Sequence, residues 1–102
     1  MLTLIAHLHA KPEKAAELEE VLHAFAAPTR QEAGCVDYHF HRSSDDRLHF
    51  MFYENWKDRK AFEEHLETPH LKGFWENRLS YLTKDADITF YDMESAHPSG
   101  VK

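Results

Sequence analysis

Residues 54–74, ENWKDRKAFEEHLETPHLKGF, combine side chains that can move protons with side chains that can bind a ring. An imidazole changes charge near neutral pH, so His65 and His70 are candidates to take a proton from a bound substrate. Trp56, Phe62, Phe74 and Trp75 surround the same join between two helices, a lining that suits a flat aromatic ligand. Ala61 and Phe62, four and three residues before His65, place its imidazole on the helix face that meets the rest of the fold. A core histidine held by one hydrogen bond satisfies that placement as well as a catalytic one does. His70 follows Pro69 in the first turn of the next helix, where a partly exposed polar residue is ordinary.

Nine histidines in 102 residues raise a second chemistry. His7 with His9, and His39 with His41, are spaced i, i+2 and project from one face of their strands. Brought together by neighbouring strands they could ligate zinc or another borderline metal; left apart they are rim residues. No resident metal is assigned on this pattern. The three glycines, at 34, 73 and 100, form neither GxGxxG nor a phosphate loop, and no HExxH or Gly-rich serine elbow occurs. Dinucleotide-binding, zinc-protease and serine-hydrolase readings therefore have no support, and no cofactor is expected. Cys35 is the sole cysteine, which excludes an intrachain disulfide and a CxxC pair and fits a reducing cytoplasm. Eighteen acidic against 12 basic residues give a net charge of −6, which repels a phosphate backbone, so nucleic acid is not an expected partner. The apolar start, MLTLIAHLHAKPEK, is too short to cross a bilayer and lacks a basic lead and a cleavage site, so no membrane attachment is expected.

The elements that must position these residues follow from periodicity. Residues 2–10, LTLIAHLHA, alternate as a strand. Pro12 opens a helix in which Ala15, Leu18, Leu22 and Phe25 form one apolar stripe; Pro28 should kink or end it near Ala27, and Gly34 can adopt the left-handed conformation that closes the segment. CVDYHFHR (35–42) is a half-buried strand, SSDD a turn, and RLHFMFYE (47–54) a central strand with apolar side chains on both faces. Helical spacing resumes from Trp56 to Leu66; Thr68 and Pro69 then start a short helix carrying Leu71, Phe74, Trp75 and Leu79. DADITFYDM (85–93) is the last strand. One domain over residues 1–93 and a tail over 94–102 are expected.

The order β-α-β-β-α-β predicts an α+β, ferredoxin-like fold: a four-stranded antiparallel sheet with helices on one face. The other face would leave apolar side chains of the central strand in water. A second sheet from an identical chain is the simplest cover, so a face-to-face homodimer is expected.

Three stretches carry a family resemblance: MLTLIAHLHAKPEK, PTRQEAGCVDY and above all YENWKDRKAFEEHLETPHLKGF, with an acid, Trp two residues on, a helix containing His, and a second His after a Thr-Pro turn. The chain resembles the antibiotic biosynthesis monooxygenase (ABM) domain family, in particular its quinol-monooxygenase-like members. The resemblance implies a dimeric α+β barrel and, in each subunit, a pocket between helices and sheet. It implies oxidation of a quinol, anthrone or related polyphenol by dioxygen with no metal or organic cofactor. It makes His65 the base or the substrate's hydrogen-bond partner, lines the pocket with Trp56, Phe62 and Phe74, and offers Tyr53 and His70 as polar contacts. Glu54 could orient a histidine or brace the strand end. Three relatives of the family remain as alternatives: a non-catalytic aromatic-ligand binding or stress-response protein, an isomerase of a small phosphorylated sugar, and a haem-degrading protein, whose first-strand Asn is missing from LTLIAHLHA.

Overall fold

The computed structural model describes residues 1–101, so the final residue of the 94–102 tail lies outside the described part. Four strands, β1 (Leu2–His9), β2 (Cys35–Arg42), β3 (His49–Trp56) and β4 (Asp87–Asp92), form one antiparallel sheet in the order β2-β3-β1-β4. Four helices, α1 (Ala15–His23), α2 (Ala26–Arg30), α3 (Arg59–Leu66) and α4 (Pro69–Asn77), complete the expected ferredoxin-like order. Among the described residues, no helix is long and apolar enough to cross a membrane.

Strand alternation decides what the helices cover. The register sets Leu4 between Glu54 and Phe90, Ala6 between Phe52 and Ile88, and Leu8 opposite Phe50. Tyr38 and Phe40 on β2 extend the same face beside Glu54 and Phe52. Onto it α1 packs Ala15, Leu18 and Leu22, α3 packs Phe62 and His65, and α4 packs Leu71. Asp58 caps α3, its Oδ1 accepting from Ala61 N–H at 2.9 Å, and this fixes which residues of the helix look inward.

Several local details depart from the expected pattern, among them α3, which begins at Arg59 rather than Trp56, and α4, which ends at Asn77 before Leu79. The α1 stripe breaks at Ala24 and Phe25, ahead of the expected point, because Pro28 has no N–H to give the Ala24 carbonyl four residues back. Pro28 itself lies within α2. Gly34 does not take a positive φ; among the described residues only Gly100 does. Its side is instead occupied by Ala61, whose Cβ a methyl at position 34 would strike. Strand β3 starts and ends two residues later than expected: Asp46 Oδ1 accepts from Leu48 N–H at 3.0 Å and keeps Leu48 in the turn, while Trp56 closes the strand opposite Leu2.

The second face of the sheet carries Thr3, Ile5, His7 and His9 of β1, His39 and His41 of β2, His49, Met51, Tyr53 and Asn55 of β3, and Thr89 and Tyr91 of β4. Asn55 is 1% exposed there, accepting from Thr3 Oγ1 and donating to Asp37 Oδ2 at 2.9 Å and Tyr53 Oη at 3.0 Å. After β4 the described chain has neither helix nor strand, yet His97 Nε2 reaches Asp37 Oδ2 at 2.7 Å, on the sheet edge opposite β4.

Candidate functional site

His65 descends from the inner face of α3 and is 2% exposed. Its Nδ1 lies 2.8 Å from Glu32 Oε2, and the same oxygen lies 3.0 Å from His70 Nε2 at the start of α4. Glu32 is fixed by a tight turn between α2 and β2, where its N–H donates to Thr29 O at 3.0 Å and its carbonyl accepts from Cys35 N–H at 3.0 Å. The carboxylate can only accept, so Nδ1 of His65 is the N–H donor and Nε2 keeps its lone pair. Nε2 has no hydrogen-bond partner among the described residues and is not sealed off, which aims a free imidazole nitrogen into the space beside it. Burial holds the His65 pKa below its ordinary 6.5, an effect that the Glu32 bond and charge partly oppose. The ring is neutral at pH 7 and able to accept a proton.

That space is a cleft between sheet and helices, walled by Tyr38, Phe52, Glu54, Phe62, Leu71 and Phe74 among others. It spans about 430 Å³ with its open mouth included, of which about 40 Å³ can take the centre of a water-sized sphere. A ring must therefore displace side chains on entry, and Leu66, Phe74 and Trp75 of the lining are only half-buried. The wall contains no lysine or arginine.

Glu54 rises from the sheet into this cleft. Its Oε1 accepts from Trp56 Nε1 at 2.9 Å, and burial, with the Glu32 charge adding to it, pushes its carboxyl up to about 7. The Trp56 indole also packs 4.7 Å from the His65 ring, so one fully buried side chain steadies both ionisable groups. Cys35, half-buried, has its thiol pushed up to about 12, mainly by burial, and offers no thiolate nucleophile at neutral pH.

The structure thus gathers His65, Phe62, Phe74 and Glu54 around one cleft. Trp56 and His70 stand behind that wall, Trp56 against His65 and His70 against Glu32. Tyr53 does not join them: it lies on the second face of the sheet, bonded to Asn55. Glu54 holds no histidine; its partner is Trp56. Glu32, in the quoted stretch PTRQEAGCVDY, escaped the sequence reading. The signal for it was the demand of a buried imidazole N–H for an acceptor, with an acid standing outside any helical stripe.

The strand histidine pairs do not assemble into one cluster. His7 Nδ1 meets His49 Nε2 at 2.8 Å and His9 stacks on His49 at 4.4 Å, while His39 and His41 stay across β3 on β2. Among the described residues, one group of three ligand-type side chains brings its donor atoms within 4.8 Å of one another: Glu32, His65 and His70. Two imidazoles and a carboxylate are donors zinc accepts, but here both imidazoles already hydrogen-bond to the Glu32 carboxylate.

The antibiotic biosynthesis monooxygenase family model matches residues 1–77. The chain belongs to the antibiotic biosynthesis monooxygenase family. The family match spans Glu54, His65 and Phe74 of the cleft and Glu32 and His70 behind it. Outside the family model, the chain is 31% identical over 90 residues to the uncharacterised protein sll1783 of Synechocystis, a match covering 88% of this chain but only 61% of that relative's length. It is 30% identical over 88 residues to YcnE of Bacillus subtilis, which carries the provisional name of a monooxygenase, covering 86% of this chain and 93% of YcnE. The crystal structure of PA3566 from Pseudomonas aeruginosa superposes with a TM-score of 0.85 at 36% identity, covering 92% of this chain and 94% of that one.

Proposed function

We propose that the protein is a cofactor-independent monooxygenase that oxidises a quinol, anthrone or similar small polyphenol with dioxygen. The observation that carries this reading is the Glu32–His65 pair, which presents a neutral imidazole nitrogen to an apolar cleft. Ground-state dioxygen is a triplet and reacts slowly with closed-shell organic molecules until the partner can release one electron. A phenolate or the matching carbanion can. His65 Nε2 takes the substrate proton, Glu32 steadies the imidazolium, and the apolar wall keeps water from the anion. Phe62 and Phe74 flank the ring, and His70 acts through Glu32. In the overall reaction the substrate loses two hydrogens and gains one oxygen atom, and the second oxygen leaves as water.

The apolar, aromatic wall also supports a second reading, non-catalytic binding of a small aromatic ligand. A phosphorylated sugar finds no lysine or arginine on the wall. Oxygen uptake by the wild type and His65→Ala over a panel of hydroquinones and anthrones separates the readings. Uptake that depends on His65 supports the enzyme; ligand-induced melting shifts with uptake no faster than buffer support the binding module.

We also propose that two copies pair through the second face of the sheet. Ile5, Met51 and Tyr53 are only half-buried there and Tyr91 is 50% exposed, an apolar set that a second sheet would cover.

A further inference from the structure

His65 accounts for removal of a proton, yet a second ionisable group faces the same cleft. Glu54 lies mid-sheet, opposite Leu4 on one side and Tyr38 on the other, so it rises from the sheet while His65 descends from α3. The residue is 5% exposed. One oxygen, Oε1, is held by the Trp56 indole N–H. The other, Oε2, has no hydrogen-bond partner among the described residues and is not sealed off, and Glu54 is part of the cleft wall. No lysine or arginine stands on that wall to pair with a carboxylate. A buried carboxyl with one hydrogen bond and no cation beside it keeps its proton, because ionising it without a partner is costly. The upward displacement of its pKa to about 7 agrees with this.

We propose that Glu54, in its neutral acid form, is a catalytic residue that donates its proton to the dioxygen-derived oxygen on the substrate. The proposal rests on the monooxygenase reading. Its steps close. His65 Nε2 removes the first substrate proton, and the anion and dioxygen join through a new C–O bond whose outer oxygen carries the negative charge. The Glu54 O–H bond breaks and a peroxide O–H bond forms, leaving Glu54 as a carboxylate. That carboxylate removes the second proton from the same carbon. The C–H electron pair becomes the C=O bond, the O–O bond breaks, and the departing hydroxide takes the proton held on His65 to become water. Both residues end as they began. The anchor on Trp56 serves both states, since Oε1 accepts from the indole whether or not Oε2 is protonated.

The test compares wild type with Glu54→Gln, which keeps the shape and the acceptor for Trp56 but cannot transfer a proton, and with Glu54→Asp, which keeps the acid but retracts it. With a hydroquinone or anthrone that the wild type oxidises, Glu54→Gln should bind with a KM within about threefold of wild type and still show the anion's absorbance. Its kcat should fall by about 100-fold or more. Glu54→Asp should fall between the two. Infrared difference spectra of wild type against Glu54→Gln should show a protonated carboxyl band near pH 6 that fades as pH rises through about 7. Oxidation by Glu54→Gln within about threefold of wild type, or absence of that band near pH 6, overturns the proposal. Lack of uptake by the wild type across the panel removes the monooxygenase reading and the donor role together. Uptake by the wild type with an unimpaired Glu54→Gln removes the donor role alone.

Discussion

Glu32 Oε2 stands 2.8 Å from His65 Nδ1, tying the turn before β2 to the inner face of α3. This contact is both structural and electronic, and the two parts can be separated. Glu32→Ala leaves the His65 N–H buried without its acceptor and should lower stability by about 2–3 kcal/mol, read by denaturant unfolding. Glu32→Gln keeps an acceptor oxygen and should lose less. Turnover should fall in both, because neither variant stabilises an imidazolium at position 65.

His65 and His70 should respond differently to substitution. Removing the base in His65→Ala should cut kcat by about 100-fold or more on any substrate that is oxidised. His70→Gln leaves the cleft wall intact, so KM should hold while kcat falls by less than in His65→Ala. Equal losses in the two variants would place His70 in contact with substrate, against the geometry.

Stability should depend on pH through Glu54. Its carboxyl is raised from 4.5 to about 7 in the folded chain, so the native state holds a proton that the unfolded chain has released between those values. The associated stability is complete below about pH 4.5 and is lost as pH rises through about 7. His65 acts in the opposite sense: with its pKa below 6.5, its contribution is complete above about 6.5 and declines as pH falls. Glu54→Gln, neutral at every pH, should flatten the alkaline loss and melt higher than wild type at pH 8. Parallel melting curves from pH 5 to 8 would contradict this.

Gly34→Ala should destabilise the fold by about 1–3 kcal/mol, because the new methyl meets Ala61 Cβ and α3 cannot back away without disturbing His65. Adding Ala61→Gly should restore part of the loss. Thermal melting of the single and double variants checks the pairing.

A charge placed on the second face, as in Met51→Lys, should convert a dimer to a monomer in sedimentation while leaving the helix-covered face unchanged. A wild type that sediments as a monomer at all concentrations removes the pairing proposal.

Much of the architecture was legible from alternation alone. CVDYHFHR became β2 with the bounds its pattern gave, and the four-stranded order followed from the succession of elements. Where reading failed, a contact distant in sequence decided. Gly34 was required by Ala61, 27 positions along the chain, whereas the break at Pro28 is local and was foreseen, displaced only to Ala24 and Phe25. Tyr53 and Glu54 show a subtler failure. The period of two puts residue 54 with Phe50 and Phe52 and residue 53 with Met51, so Tyr53 could not share the cleft with Phe62. The family resemblance suggested Tyr53; pleat excluded it. Glu32 was hidden because its partners lie 33 and 38 residues away, beyond the two strands β2 and β3 that periodicity does not fold.

Both tryptophans of the chain flank the cleft: Trp56 stands at its back against His65, and Trp75 is half-buried in its lining with the Arg78 guanidinium 4.1 Å from its ring. The molecule therefore carries its own optical gauge. Emission from the dry, inner indole should report the charge on its imidazole neighbour, and emission from the outer one should report arrival of a ring in the cleft. Replacing Trp75 with Phe would isolate the inner signal, so occupancy and protonation could be followed in an unlabelled protein.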